Sequence, residues 1–217
     1  MASTAPDPSV DPEPSRDLPA LNAHLDKHWG PGLMLREKAS SYIRLDLRII
    51  PASTGRPHHT IITTGMSNRP IVVGKAGGAN FFELVLALPG EWPIEPSKMG
   101  GARFWWPLRQ LLLTARFPHA TGAPFGYGHT LANEQPPAPF HESVQLCGCI
   151  LSVPLLCPEE AVRAQVGKDK EIKFLSLLPL HLAELEFART NGSMSLLDRL
   201  HEQGVTELLD VTRPSFS

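Results

Sequence analysis

Phe81-Phe82-Glu83-Leu84-Val85-Leu86-Ala87-Leu88 is an apolar run interrupted only by Glu83. A run of this length with a single polar residue predicts a strand buried on most of both faces. Upstream, Ile43, Leu45, Leu47 and Ile49 alternate with Arg44, Asp46 and Arg48, which predicts a half-buried strand with one wet face. Pro51 ends it, and Thr60-Ile61-Ile62-Thr63 predicts the next strand, leaving His58-His59 in a loop. Further upstream, Leu18, Leu21, Leu25 and Trp29 share one face of a helix over 18–29. Asp17 is placed to cap that helix, and Gly30-Pro31 to stop it.

Downstream, Pro107 is placed to open a helix carrying Leu108, Leu111, Leu112 and Ala115, and Pro118 to close it. A loop rich in Gly, Pro and aromatics follows. Val144 to Val153 and Ile172 to Leu178 read as two more strands. Two helices end the chain, one with Leu182 and Leu185, the other with Leu196, Leu197 and Leu200. Ser195 and Asp198 have capping-box spacing for the last helix, and Gly204 is its expected stop. Strands and helices do not alternate regularly, so the expected class is α+β, a mixed or mostly antiparallel sheet with flanking helices.

Residues 1–17 are acidic and Pro-rich with almost no apolar side chains. Such a segment cannot offset its ordering entropy by burial, so disorder is expected there. The remaining residues, 18–217, are expected to form one domain. The net charge of −2 favours neither nucleic acid nor an anionic membrane as partner. No apolar run reaches the roughly 18 residues needed to span a bilayer. The three cysteines, Cys147, Cys149 and Cys157, point to a reducing compartment, read as the cytoplasm. Low lysine (7 against 13 Arg) with abundant Pro and Ala is compatible with a bacterial source.

The catalytic and metal motifs tested all fall short. Gly65-Met66-Ser67-Asn68-Arg69 lacks the closing Gly of a nucleophile elbow, so Ser67 reads as a turn residue. His141-Glu142-Ser143-Val144-Gln145 has Gln145 where a zinc-protease helix needs its second His. Gly74-Lys75-Ala76-Gly77-Gly78 lacks the spacing of a phosphate loop. Cys147 and Cys149, two apart on a strand, are expected to share a buried face with Leu151 and Val153. No metal or cofactor is expected.

Glu83 inside an apolar strand demands a partner, and Arg69 or Arg103 is the expected one; without it Glu83 becomes a perturbed acid and a binding contact. His129 has room beside Gly126 and Gly128 for a partner, against the alternative of a ring that bonds loop backbone. Trp105 and Trp106 cannot easily both be buried at a helix entrance. One staples the helix to the core, and the other, beside Tyr127, suits a binding hot spot; both packed under the loop is the competing reading.

The order of several strings resembles the suppressor of fused family over about 20–215. They are Thr63-Thr64-Gly65-Met66-Ser67 with Pro70, Glu83-Leu84 to Leu88-Pro89, and Trp92-Pro93. Trp106-Pro107, Leu111, Ala115-Arg116-Phe117-Pro118 and Gly128-His129 follow, then Leu178-Pro179-Leu180, Glu184, Glu186 and Asp210 to Ser215. The leader and Glu95 to Gly101 match no family element. The size resembles the compact bacterial members, not the animal protein with its second domain. The resemblance implies a non-catalytic protein-binding domain whose partner is another polypeptide, an extended peptide or a toxin neutralised by an immunity protein. Trp105, Trp106, Tyr127, His129 and Glu83 are the candidate partner contacts. The alternative is an enzyme or metal protein using His119, His129 and the cysteines. Sequence does not set the oligomeric state.

Overall fold

The computed structural model describes residues 16–37, 43–73, 78–95, 98 and 101–216. The predicted leader lies outside these residues except for Arg16 and Asp17, as does the Gly-rich loop over 74–77. The elements in order are α1 (Leu18–His28), β1 (Leu33–Arg36), β2 (Asp46–Ile50), β3 (His58–Thr64), β4 (Ile71–Val73) and β5 (Gly78–Pro89). Then come α2 (Ala102–Thr121), β6 (Thr130–Ala132), β7 (Leu146–Ser152), β8 (Arg163–Gln165), β9 (Glu171–His181), α3 (Leu182–Asn191) and α4 (Ser193–Glu202).

The strands form one nine-stranded mixed sheet, in the order β1-β2-β3-β5-β9-β7-β6, with β4 on β5 and β8 on β9. The β5–β9 pairing is parallel, and the other pairings are antiparallel. Helices cover both faces, as β9 shows by its alternation. Leu175 and Leu177 point to the core under α2, with Leu84, Leu86, Leu108, Leu111 and Ala115. Ile172 and Phe174 point the other way, to Leu21, Leu25 and Trp29 of α1. Leu178 and Leu180 lie on that second face too, under Leu196, Leu197 and Leu200 of α4. A sheet covered on both faces explains why the 81–88 run is apolar with no wet face. The α+β class expected from sequence is the one observed.

Several local expectations are corrected. β2 has no wet face, because Arg48 is buried and reaches Asn22 and Asp26 of α1. His58 and His59 lie on β3 and are buried, with His59 bridging the Ala52 N–H and the Gly90 carbonyl. Asp17 stands at the N-terminus of α1, but its carboxylate pairs with Lys170 at 2.6 Å. α2 begins at Ala102, so Pro107 sits inside it at the cost of a single ladder bond. Pro118 does not stop α2 either, since a proline blocks only the bond of its own nitrogen. The stop is Gly122, left-handed at φ 67°, whose N–H bonds the Pro118 carbonyl. α4 starts before Ser195, at Ser193. The reach-back carboxylate belongs to α3, where Glu184 accepts the His181 N–H at 2.8 Å. Gly204, at φ 71°, follows the end of α4 as expected.

Candidate functional site

The Thr63–Pro70 string turns out to be a cradle for Glu83. Thr63 is the next-to-last residue of β3, beside β5, Gly65 takes φ 110°, and Met66–Asn68 form one turn of 3-10 helix. The turn aims its donors at the fully buried Glu83 carboxylate. Thr63 Oγ1 donates to Oε2 at 2.7 Å. Gly65 N–H (2.9 Å), Ser67 N–H (3.1 Å) and Ser67 Oγ (2.7 Å) all donate to Oε1. Among the described residues no cation is a partner, which corrects the expected pairing with Arg69 or Arg103. Burial raises the Glu83 carboxyl above its ordinary value, and the hydrogen bonds from Thr63, Ser67 and Gly65 offset part of that rise. Glu83 is therefore out of reach of a surface partner, and Ser67 is spent on holding it.

Two more groups hold the same turn. Lys170 Nζ donates to the Ser67 carbonyl at 2.7 Å, and His119 Nε2 donates to the Met66 carbonyl at 3.1 Å. Burial, with Arg69 nearby, lowers the His119 pKa. A side chain at Gly65 would collide with the Arg44 carbonyl, in a backbone conformation L-residues avoid. Gly65→Ala is expected to lower the unfolding free energy by about 1–3 kcal/mol. Urea denaturation checks this, and an unchanged midpoint would contradict the geometry.

The aromatic candidates separate into two places. Trp106 is buried and stacks on Phe140, centroids 5.1 Å apart, while Trp105 is half-buried against the same core. Tyr127 is 46% exposed, beyond the far end of α2. Phe117, near that end, is already about 18 Å along the helix from Trp105. The structure thus does not bring Trp105 and Tyr127 together. It does gather His129 with Phe117 (6.3 Å) and Phe125 (5.8 Å), and burial lowers the pKa of its imidazole. It is the His129 backbone that fixes the turn, with N–H to Gly126 and C=O to the Leu151 N–H. Tyr127 has exposed apolar company: Val73 lies within 3.6 Å of a Cβ built at Gly126, and Met194 within 3.3 Å of one at Gly128.

His129 leads directly into β6, a strand too short to leave any periodicity in the sequence. Among the described residues β6 pairs with β7 alone, so it is a sheet edge. The backbones of His129 and Asn133 bond to β7, so by alternation those of Thr130 and Ala132 face outward. A groove flanks the edge on each face. One, of about 450 Å³, lies towards α2 and is lined by Leu113, Phe117, Ala120 and Leu131. The other, of about 370 Å³, lies towards α3 and is lined by Thr130, Leu185, Glu186 and Arg189.

Cys147 and Cys149 do not share a face. A bulge between Leu146 and Gly148 breaks the alternation, and Cys149 packs in the core under α2 near Thr114. The Cys147 thiol is raised by burial and by Glu184 and Glu186. Burial pushes the Cys149 thiol to about 11. Burial, with Glu207, pushes the Cys157 thiol to about 12. Thiols held this high are poor nucleophiles and poor ligands. Among the described residues no group of three or more His, Cys, Asp and Glu could hold a metal ion. His119 and His129 are spent on different neighbours, a carbonyl and two aromatic rings. Among the described residues no helix is long and apolar enough to cross a membrane.

A mixed sheet between helices, with an open edge grooved on both faces, defines an α+β domain built around its sheet rather than around an enclosed cleft. The sequence profile of the Suppressor of fused protein (SUFU) family matches residues 41–214, and the chain belongs to that family. In fold it is similar to a SUFU homolog from Neisseria gonorrhoeae, with TM-score 0.64 and 17% identity over 91% of this chain and 94% of that one. A chain of the Sufu-Fu complex crystal structure matches with TM-score 0.61 and 16% identity, over 94% of this chain and 93% of that one. Drosophila Suppressor of Fused matches with TM-score 0.59 and 16% identity over 87% of this chain. The match covers 47% of the Drosophila protein, so this chain spans about half its length. No sequence match was found among curated proteins.

Proposed function

We propose that this chain is a non-catalytic protein-binding domain that takes a partner polypeptide, in extended form, as an added strand on β6. The observation carrying the reading is the match between edge and grooves. An added strand would bond the outward backbone of Thr130 and Ala132. Its successive side chains would drop alternately into the apolar groove at Phe117 and the polar groove at Glu186 and Arg189. Tyr127 and His129 lie at the start of that edge and extend the contact; Trp106 is buried and Trp105 half-buried against the core under α2. A relative of similar length occurs in the Sufu-Fu complex, which supports a polypeptide partner.

The resemblance to compact bacterial members adds that the partner is a toxin and this chain its immunity protein. We place it in the cytoplasm, where thiols stay reduced; its three cysteines are free. The test has two stages. A tagged pull-down from the host identifies a stoichiometric partner, whose toxicity alone and neutralisation on co-expression decide the immunity role. Calorimetry with that partner then decides the site. Leu113→Arg fills the apolar groove, and Ala132→Pro removes an outward donor while leaving the β7 ladder intact. Each is expected to weaken binding at least about tenfold with little change in melting temperature. Unchanged affinity in both variants would place the interface elsewhere.

A further inference from the structure

A third cavity, of about 710 Å³, lies between the turn after β5 and the chain that follows α4. One wall is aromatic. Trp92 and Phe104 meet edge to face with centroids 5.7 Å apart, and the Trp92 indole N–H is fixed on the Phe104 carbonyl at 3.1 Å. Leu208 and Val211 add aliphatic lining.

The charges on the lining are one-sided. Among the described lining residues Arg213 is the only cation, and its guanidinium is already spent. It forks onto Glu184 at 2.5 and 2.6 Å and reaches the Pro179 carbonyl at 2.8 Å. What remains is the exposed Glu91 carboxylate and that of Asp210. The Thr212 hydroxyl and N–H, at 2.7 and 2.8 Å, hold the Asp210 carboxyl below the usual range, with a smaller contribution from the backbone and charge of Arg213. The Phe104 ring already carries one guanidinium, that of Arg103, 5.5 Å from its centroid, which leaves Trp92 as the ring open to another cation.

We propose that this cavity is a second binding site, which takes the guanidinium of an arginine side chain presented by a polypeptide partner. Ring faces attract a planar cation, and carboxylates supply the fork–fork acceptor that guanidinium fits and ammonium does not. The cavity has space for the aliphatic stem along Leu208 and Val211.

The probe is N-acetyl-argininamide, titrated into the full isotope-labelled chain while the Trp92 indole signal is followed. The control is N-acetyl-citrullinamide, which keeps the shape and loses the charge. A saturable shift with the arginine probe is expected, weaker by about tenfold for citrulline and for the Glu91→Gln/Asp210→Asn double variant. Leu113→Arg, which blocks the β6 groove, is expected to leave it unchanged, so the two sites stand or fall separately. Equal affinity for arginine and citrulline, or full affinity in the double variant, would overturn the assignment. No shift at any probe concentration would overturn it as well.

Discussion

Glu83→Ala is expected to destabilise the fold by about 3–5 kcal/mol, measured by urea unfolding at neutral pH. The side chain is fully buried and is the common acceptor for donors from Thr63, Gly65 and Ser67. Truncation leaves those donors in a dry pocket, where each unmet one costs about 1–3 kcal/mol before relaxation. Against a total stability of about 5–15 kcal/mol the loss is large. Glu83→Gln keeps an acceptor oxygen for Gly65 and Ser67, and its new amide can donate to Thr63 Oγ1, so it is expected to cost less. A loss below about 1 kcal/mol for the alanine variant would mean that the cradle contributes little.

The same pair of proteins carries a pH signature. Glu83 has a folded-state pKa above its ordinary 4.5. Between those two values the native state binds more protons than the unfolded one, so the Glu83 contribution falls as pH rises through that window. Below 4.5 both states are protonated and the contribution is flat. Wild type minus Glu83→Gln is therefore expected to shift against wild type as pH climbs above 4.5. A difference independent of pH would remove the buried-carboxylate account.

Arg213→Ala is the second large effect, expected at about 3–5 kcal/mol. Arg213 forks onto Glu184, whose side chain is 0% exposed, and the remaining 12% exposure of Arg213 gives water little access to the pair. The His181 ring holds the Arg213 carbonyl at 3.0 Å, so the pair also ties the end of the chain to the start of α3. Removing the cation strands a buried anion. Arg213→Lys cannot make the fork and is expected to fall between. The double variant Glu184→Leu/Arg213→Met, which removes both charges, is expected to recover much of the loss. If single and double variants lose equally, the pair is worth no more than its packing.

The contrast between what was legible and what was not follows from where partners come from. Apolar runs revealed the strands at 60–63, 81–88, 144–153 (Leu146–Ser152 in the structure) and 172–178, because burial on a face is written into side-chain type. The Arg48 face was misread because its cover, Asn22 and Asp26, sits on a different element. Glu83 was correctly seen to need a partner, but sequence displays charges and hides backbone N–H groups, so Arg69 and Arg103 drew attention over Gly65 and Ser67. β6 was read as loop, since three residues carry no period. The family strings around Thr63, Glu83, Glu184 and Arg213 prove to be internal fastenings. The surface grooves at Phe117 and Glu186 carried no separate signal.

The parallel pairing of β5 with β9 has a consequence for how the molecule comes into being. Phe81 meets Ile172, and the intervening chain must be made before the middle of the sheet can close. Ala87 waits longer still, for Glu207 and Leu209, about 120 residues further along the chain. Contacts this distant give slow closure, because a long loop loses its freedom before any contact rewards it. Until β9 is made, the β9-facing side of β5 has no partner strand. An apolar strand open on one side is a template for stray strands during that interval.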